Sequence, residues 1–401
     1  MTPSAACHYD PLAPETLYDP YPVLAELRRT DPVFWHAGMR SWVVTRYDDC
    51  VRVLRDHRAF ARDPRRAGGV VPDSGLSVQT LDPPHQGWVR SLFMSAVRAQ
   101  DLGAIESRAY RLVTDRLDGL TGAGSFDVMA ELAVPLAVTV VADLLGVQAP
   151  PHQEYAAISE AIMRSMDGGL DPAVVEPGQA ARRALSDLVA SWWDASERPG
   201  VLTQVRETVG PAVDPLSYLY VRNTARVMFQ GGYSTLAAAA GNVIHTLLAR
   251  PDALKAMRRA ELRATGVEEL VRFDGPVQGT TRHAMVGCRI GGAEISPGQK
   301  IVALFAAANR DPAAFPDPDQ LRLGRTPNRH LGYGWGPHAC IGTIAAQAGL
   351  RGLVGALADQ ATGNRAVLVP DGDPVRRPTA TLRAFASLPA VLHAPSAQPA
   401  R

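Results

Sequence analysis

One run of the chain narrows its possible folds more than any other: His330-Leu-Gly-Tyr-Gly-Trp-Gly-Pro-His-Ala-Cys340-Ile-Gly342. Glycines at alternate positions (Gly332, Gly334, Gly336) let the backbone turn tightly and approach a flat, bulky partner. After Cys340 and Gly342, the stretch Thr343-Ile-Ala-Ala-Gln-Ala-Gly-Leu reads as the start of a helix. A cysteine just ahead of a helix N-terminus sits where the macrodipole favours thiolate over thiol. Free N–H groups of such a loop can hydrogen-bond the sulfur and tune a metal that it holds. The arrangement suits an anionic sulfur ligand to a planar metal cofactor. It equally allows a buried structural cysteine beside a glycine-rich turn, and the loop alone leaves both open.

Composition removes several other classes. Length alone suggests two or more domains for 401 residues. No internal repeat or flexible linker divides the chain, however, and one large domain fits best. Hydrophobic residues at 46% and charged ones at 20% describe a globular protein with a large core. A formal net charge of +1 gives no support to nucleic-acid binding. Cys7, Cys50, Cys288 and Cys340 are scattered, so neither a disulfide framework nor a paired-cysteine metal site is expected, and a reducing cytoplasm is the simplest home. The first residues carry no signal pattern, and no apolar run is long enough to cross a bilayer, so no membrane anchor is expected. Strand-like stretches (Ser41-Trp-Val-Val-Thr45 and Lys300-Ile-Val-Ala-Leu304) sit among long amphipathic helical ones. The expectation is a mainly α fold with a minor β region over 16–393, flanked by loose tails at 1–15 and 394–401.

The run Tyr333 to Gly342 has the form aromatic-Gly-x-Gly-x-His-x-Cys-x-Gly, and it resembles the haem-binding loop of the cytochrome P450 family. Tyr333 stands where that family usually has Phe. The resemblance covers almost the whole chain and implies the single-domain P450 fold with haem b. It makes Cys340 the proximal iron ligand and His338 a partner of a haem propionate, with Tyr333 and Gly334 against the cofactor. The segment Tyr218 to Ala249 reads as a helix of roughly 45 Å, interrupted by Gly231-Gly232. Adjacent glycines can kink or groove a helix, or simply let another helix pack closely. In the family, this helix crosses the distal haem face with the pattern Ala/Gly-Gly-x-acid-Thr. Here it reads Gly231-Gly232-Tyr233-Ser234-Thr235. By resemblance Thr235 is the distal hydroxyl, Ser234 replaces the acid, and Gly232 lies beside the cofactor. A hydroxyl bonded to water can relay protons, whereas Ser234 can pass one but cannot be an anionic source.

Glu269-Leu-Val-Arg272 sets a carboxylate and a guanidinium three apart on one helix face. This resembles the family's Glu-x-x-Arg helix and implies a structural ion pair behind the haem, with Gln320 as the best match for its third partner. Arg282, in Thr281-Arg-His-Ala284, corresponds to a propionate-binding arginine. Aligned on Leu81-Asp-Pro-Pro84, Arg90 corresponds to a second, and Gln86 stands where many relatives carry His. Guanidinium forks suit carboxylates; taken without the resemblance, either arginine reads as a solvated charge. Phe229, Gly231, Val277, Gln278 and Phe385 are the candidate substrate contacts. Ala348 to Leu357 needs no reading beyond core packing.

By resemblance the chain is a haem-thiolate monooxygenase that uses dioxygen and externally supplied electrons to oxidise a small organic molecule in secondary-metabolite tailoring. Oxidative aryl or phenol coupling and peroxide-driven oxidation are the alternatives on the same haem. A non-catalytic haem-binding or recruitment domain is disfavoured because Cys340, Arg90, Arg282 and His338 are all kept. A zinc module fails for want of a second Cys or His at ligand spacing. No reductase, flavin or iron–sulfur segment is present, so a ferredoxin and its reductase are the expected electron donors. Arg98, Arg329 and Arg351 are candidates for their docking patch.

Overall fold

The computed structural model describes residues 9–149, 152–195, 198–211, 213–361 and 366–393. Helices dominate, and the strands gather into one mixed sheet and three small ones. The two strands legible in the sequence lie side by side. Ser41–Val44 pairs in parallel with Lys300–Leu304, with Ser41 opposite Lys300. Val33–His36 closes a hairpin on the first of them, and Gly279–Ala284 runs antiparallel to the second. Phe60–Ala61 then forms the far edge of this five-stranded sheet. This register matters for the site, because Gly279–Ala284 carries Arg282 opposite Ile301.

A 34-residue helix, Pro215–Leu248, runs through the middle of the helical region. Asp214 caps it by accepting from the Leu216 and Ser217 N–H groups, and Pro215 occupies the first turn, where its missing donor costs nothing. It continues unbroken through Gly231 and Gly232, so the expected interruption does not occur. The Ser234 and Thr235 hydroxyls bond back to the carbonyls four residues earlier, which bends helices without ending them. Burial of Leu236, Ala237, Ala239, Ala240, Val243, Ile244 and Leu247 locks its second half into the main core. Among the described residues no helix is long and apolar enough to cross a membrane.

Of the stretch expected as an N-terminal tail, residues 9–15 are described, and the rest, like 394–401, lies outside the described residues. Tyr9 is buried edge-on against Phe34 and His36, and its carbonyl meets His36 Nε2 at 2.9 Å. A polar clamp then ties the two ends of the fold together. Arg383 donates to the Leu17 carbonyl at 2.6 Å, the Tyr18 carbonyl at 2.9 Å and Asp274 at 2.7 Å. Tyr21 donates to the same carboxylate at 2.7 Å. Burial pushes the Asp274 carboxyl up, but Arg383 and Arg376 outweigh it and hold it below the ordinary value.

Candidate active site

The cysteine loop is built by two glycines that no other residue could replace without strain. Gly334 and Gly336 both have φ of +71°. Gly336 also lies so close to the helix Tyr47–Arg55 that a Cβ would stand 2.7 Å from the Leu54 carbonyl. The turn is closed by Cys340 N–H donating to the Tyr333 carbonyl at 2.8 Å. The helix Thr343–Gln360 starts two residues beyond Gly342's neighbour Ile341. Cys340 is exposed by area, yet protein crowds it enough that burial pushes its thiol up. The Gly342 and Thr343 N–H groups, the Thr343 hydroxyl and the charge of Arg90 pull the other way. These are the donors an anionic sulfur needs, and a metal on the sulfur would deprotonate it outright. Tyr333 keeps its ring by His330 at 5.6 Å, while its buried hydroxyl has no partner among the described residues.

Cationic groups surround this loop with few anions to match them. Arg282 is buried and donates to the Thr281 carbonyl at 2.9 Å. Arg62 reaches the same carbonyl at 3.0 Å and the Thr280 hydroxyl at 3.2 Å. Burial pulls Arg282 down to about 9, and the charge of Arg62 adds to the effect. His338 meets Asp82 at 3.2 Å. Burial lowers the imidazole and Asp82 partly restores it. Asp82 also accepts from the Arg62 and Asp63 N–H groups, each at 3.1 Å, and from Arg66 at 3.0 Å, so it is fully engaged. The Nδ1 atoms of His338 and His283 are buried with no partner among the described residues. Buried charge without counter-charge is costly, and these groups fit the two carboxylates of a haem. Arg62 and Asp82 were not legible as site residues, because their partners lie across the sequence. Arg90 donates to the Ala339 carbonyl at 2.6 Å, next to Cys340. Gln86 donates to the Pro337 carbonyl at 2.6 Å, so it fastens the helix His85–Arg98 to the loop.

On the long helix, the candidate residues divide between two faces. Thr235 and Gly231 are four apart and share a face. Thr235 donates to the Gly231 carbonyl, and a Cβ on Gly231 would meet nothing within 4 Å. Gly232 is different: a Cβ there would stand 2.7 Å from Val141, so this glycine serves close packing on the helix Val134–Leu145. Ser234 is buried and donates to the Gln230 carbonyl at 2.8 Å. Phe229 lies in an aromatic cluster, with Tyr155 at 4.8 Å and Trp192 at 4.6 Å, rather than in open space.

Strand alternation likewise redirects Phe385. It is buried with His245 at 4.9 Å and the Arg376 guanidinium 3.5 Å over its ring. Leu382 and Ala384 instead join Met163, Ala238 and the partly buried Val277 in a small apolar cluster. Val277 forms an isolated bridge with Leu382. Gln278 donates its backbone N–H to the Thr381 carbonyl at 3.0 Å and its amide to the Gly275 carbonyl at 2.9 Å. Ala238 stands three residues from Thr235 and so near its face. Of these apolar residues, Ala238 carried no motif that sequence reading could have found.

Glu269 and Arg272 pair at 2.8 Å with both side chains fully buried. The third partner is Arg325, at 3.0 Å from Glu269. Gln320 enters only through its carbonyl, which accepts from Arg272 at 3.3 Å and Arg325 at 3.2 Å. Burial pushes the Glu269 carboxyl up, but Arg272, the Arg322 N–H and Arg325 hold it below the ordinary carboxylate range.

Comparison with known proteins sets this geometry in a family. The family model described as Cytochrome P450 matches residues 261–357. Nocardicin C N-oxygenase of Nocardia uniformis subsp. tsuyamanensis is 31% identical over 384 residues, covering 92% of this chain and 94% of that protein. Cytochrome P450 107B1 of Saccharopolyspora erythraea is 30% identical over 351 residues, covering 83% and 85%. Among solved structures, CalO2 aligns with a TM-score of 0.81 at 29% identity, over 96% of this chain and 99% of that one. Epothilone D-bound cytochrome P450epoK aligns with a TM-score of 0.84 at 25% identity, over 98% and 100%.

Proposed function

We propose, for a chain that belongs to the cytochrome P450 family, a haem b held by Cys340 and the oxygenation of a small organic molecule in secondary-metabolite tailoring. The chain is a P450 monooxygenase with a haem-iron cofactor, and it depends on redox partners for electrons. Relatives named mycinamicin IV hydroxylase/epoxidase and 6-deoxyerythronolide B hydroxylase, 29% and 28% identical, support the tailoring role. The single observation that carries the reading is the exposed Cys340, set in a loop of left-handed glycines and backed by the N–H groups of Gly342 and Thr343.

Bound at that sulfur, the haem supplies dioxygen activation and substrate oxidation, which thiolate ligation favours. The protein's part is to bind, orient and control protons. Arg62 and Arg282 offer charged donors for the two propionates, His338 joins them when its ring takes up a proton on the unpartnered Nδ1, and Arg90 holds the loop through Ala339. Leu382, Ala238 and Met163 form an apolar wall that limits water. Thr235 Oγ1 carries the proton to be moved; its bond to the Gly231 carbonyl can be exchanged for one to a water. Ser234 Oγ is committed to the Gln230 carbonyl, so the face beside Thr235 has no acid of its own on this helix. That observation favours a second reading, oxidative coupling or peroxide-driven turnover, in which demand for protons is smaller.

The cytoplasm, and a ferredoxin with its reductase, complete the reading. Arg98 and Arg329 are exposed and suit an acidic partner, whereas Arg351 is already paired with Glu106 at 2.8 Å. The decisive experiment is the ferrous–CO spectrum. Wild type is expected to show the strongly red-shifted Soret band of thiolate ligation, and Cys340→Ala to lose it. The band surviving in Cys340→Ala would sink the assignment.

A further inference from the structure

Away from the cysteine loop, one group of buried charge has no use in the oxygenation chemistry. Arg226 lies on the long helix and is 6% exposed. It donates to the Ser186 hydroxyl at 2.9 Å, on the helix Val175–Ala195, and to the Ser74 carbonyl in the loop across from it. Ser186 is itself oriented by a bond to the Arg182 carbonyl at 2.8 Å. Arg182 is half-buried four residues before Ser186, on the same helix face. Arg222 is four residues before Arg226, with its guanidinium 5.8 Å over the Tyr218 ring. Among the described residues no carboxylate acts on Arg226 or Arg182; the only charge felt by Arg226 is the like charge of Arg182. Burial, with that repulsion, pulls the Arg226 guanidinium down to about 10.

Buried guanidiniums are ordinarily paired, because their desolvation is otherwise uncompensated. Here two neutral oxygens occupy two of five N–H donors and leave the charge itself unanswered. We propose that Arg226, with Arg182 beside it, is a receptor for an oxyanion, the carboxylate or phosphate of a small ligand. Guanidinium forks match that geometry with paired, charge-assisted bonds. Arg226 is nine residues before Thr235, roughly 13 Å along the helix and on its opposite side. The site therefore holds either the far, acidic end of a substrate or a free anion that braces the helices and the loop around Ser74. The first case deepens the oxygenase reading and rests on it; the second stands without it.

The test uses the ferric holoenzyme, without oxygen or electrons, so its failure leaves the oxygenase reading untouched. Thermal midpoints are measured in inorganic phosphate and in chloride at matched ionic strength. Phosphate is expected to raise the wild-type midpoint above the chloride value. Arg226→Gln should abolish that gain and Arg182→Gln should reduce it. If Arg226→Gln does not fold, the Arg182→Gln comparison decides alone. Dodecanoate is titrated in parallel, following the Soret band. A Soret shift in wild type that needs at least tenfold more dodecanoate in the variant assigns the oxyanion to a substrate. A phosphate effect with no Soret response to dodecanoate assigns it to a free anion. Equal midpoints in both salts together with no dodecanoate response, or an undiminished phosphate effect in the variants, would overturn the proposal.

Discussion

Thr235 and Ser234 are neighbours in sequence with hydroxyls in different surroundings, and that difference is measurable. Thr235→Ala should lower product formed per NAD(P)H and raise hydrogen peroxide. Ser234→Ala should leave that ratio close to wild type, because its hydroxyl serves its own helix through Gln230. Product and peroxide assays on both variants check the pair; a fall in coupling for Ser234→Ala equal to that for Thr235→Ala would dismiss the distinction. The cysteine loop was legible at this scale because its chemistry is contiguous, from Tyr333 to Gly342. Arg62 was not, since it meets Thr280 and Thr281 across 218 and 219 residues. Phe229 and Phe385 show another limit: an aromatic in a motif region reads as a pocket contact until helix face or strand alternation is known.

Among the elements, the helix Ala260–Asp274 is held by one carboxylate that satisfies two guanidiniums. Glu269→Ala would leave Arg272 and Arg325 as buried charges without an answer, a loss of about 3–5 kcal/mol. Gln320→Ala keeps the carbonyl that matters, and its exposed side chain predicts a change within about 0.5 kcal/mol. Denaturant unfolding of the holoenzyme distinguishes the two; a Gln320→Ala effect as large as that of Glu269→Ala would contradict the assigned third partner. Sequence reading found the Glu-x-x-Arg pair from its three-residue spacing, but Arg325 lies 56 residues on and had no spacing rule to reveal it. The long helix was found nearly at its true limits, 218–249 against Pro215–Leu248. Its glycine pair was open to two readings, a kink or close packing, and only the second is met: the helix runs on unbroken, Gly232 packs on Val141, and Gly231 faces open space.

For the molecule as a whole, stability should fall with acid in two stages. Burial lowers His283 and His245 below their ordinary 6.5, with Lys300 and Arg376 respectively adding to it. The unfolded chain thus binds more protons than the fold just below pH 6.5, and stability declines from there as pH drops. Glu269 and Asp274 are held below 4.5 and 3.8, so their contribution is present above those values and is lost as pH falls through their folded values. Chemical unfolding of wild type and His245→Gln across pH 7.5 to 4 measures this; an unchanged upper stage in the variant would refute the part given to His245. The mainly helical class and the strands at 41 and 300 were legible from local pattern, whereas the pairing of those strands with each other depends on contacts no local pattern carries. The same holds for the Arg383 clamp, and there distance in sequence becomes time. Arg383 grips the Leu17 carbonyl across 366 residues, which at 5–20 residues per second separates their synthesis by roughly 20 to 70 s. The first helices are thus made early, and this grip on them closes only after Arg383 has left the ribosome.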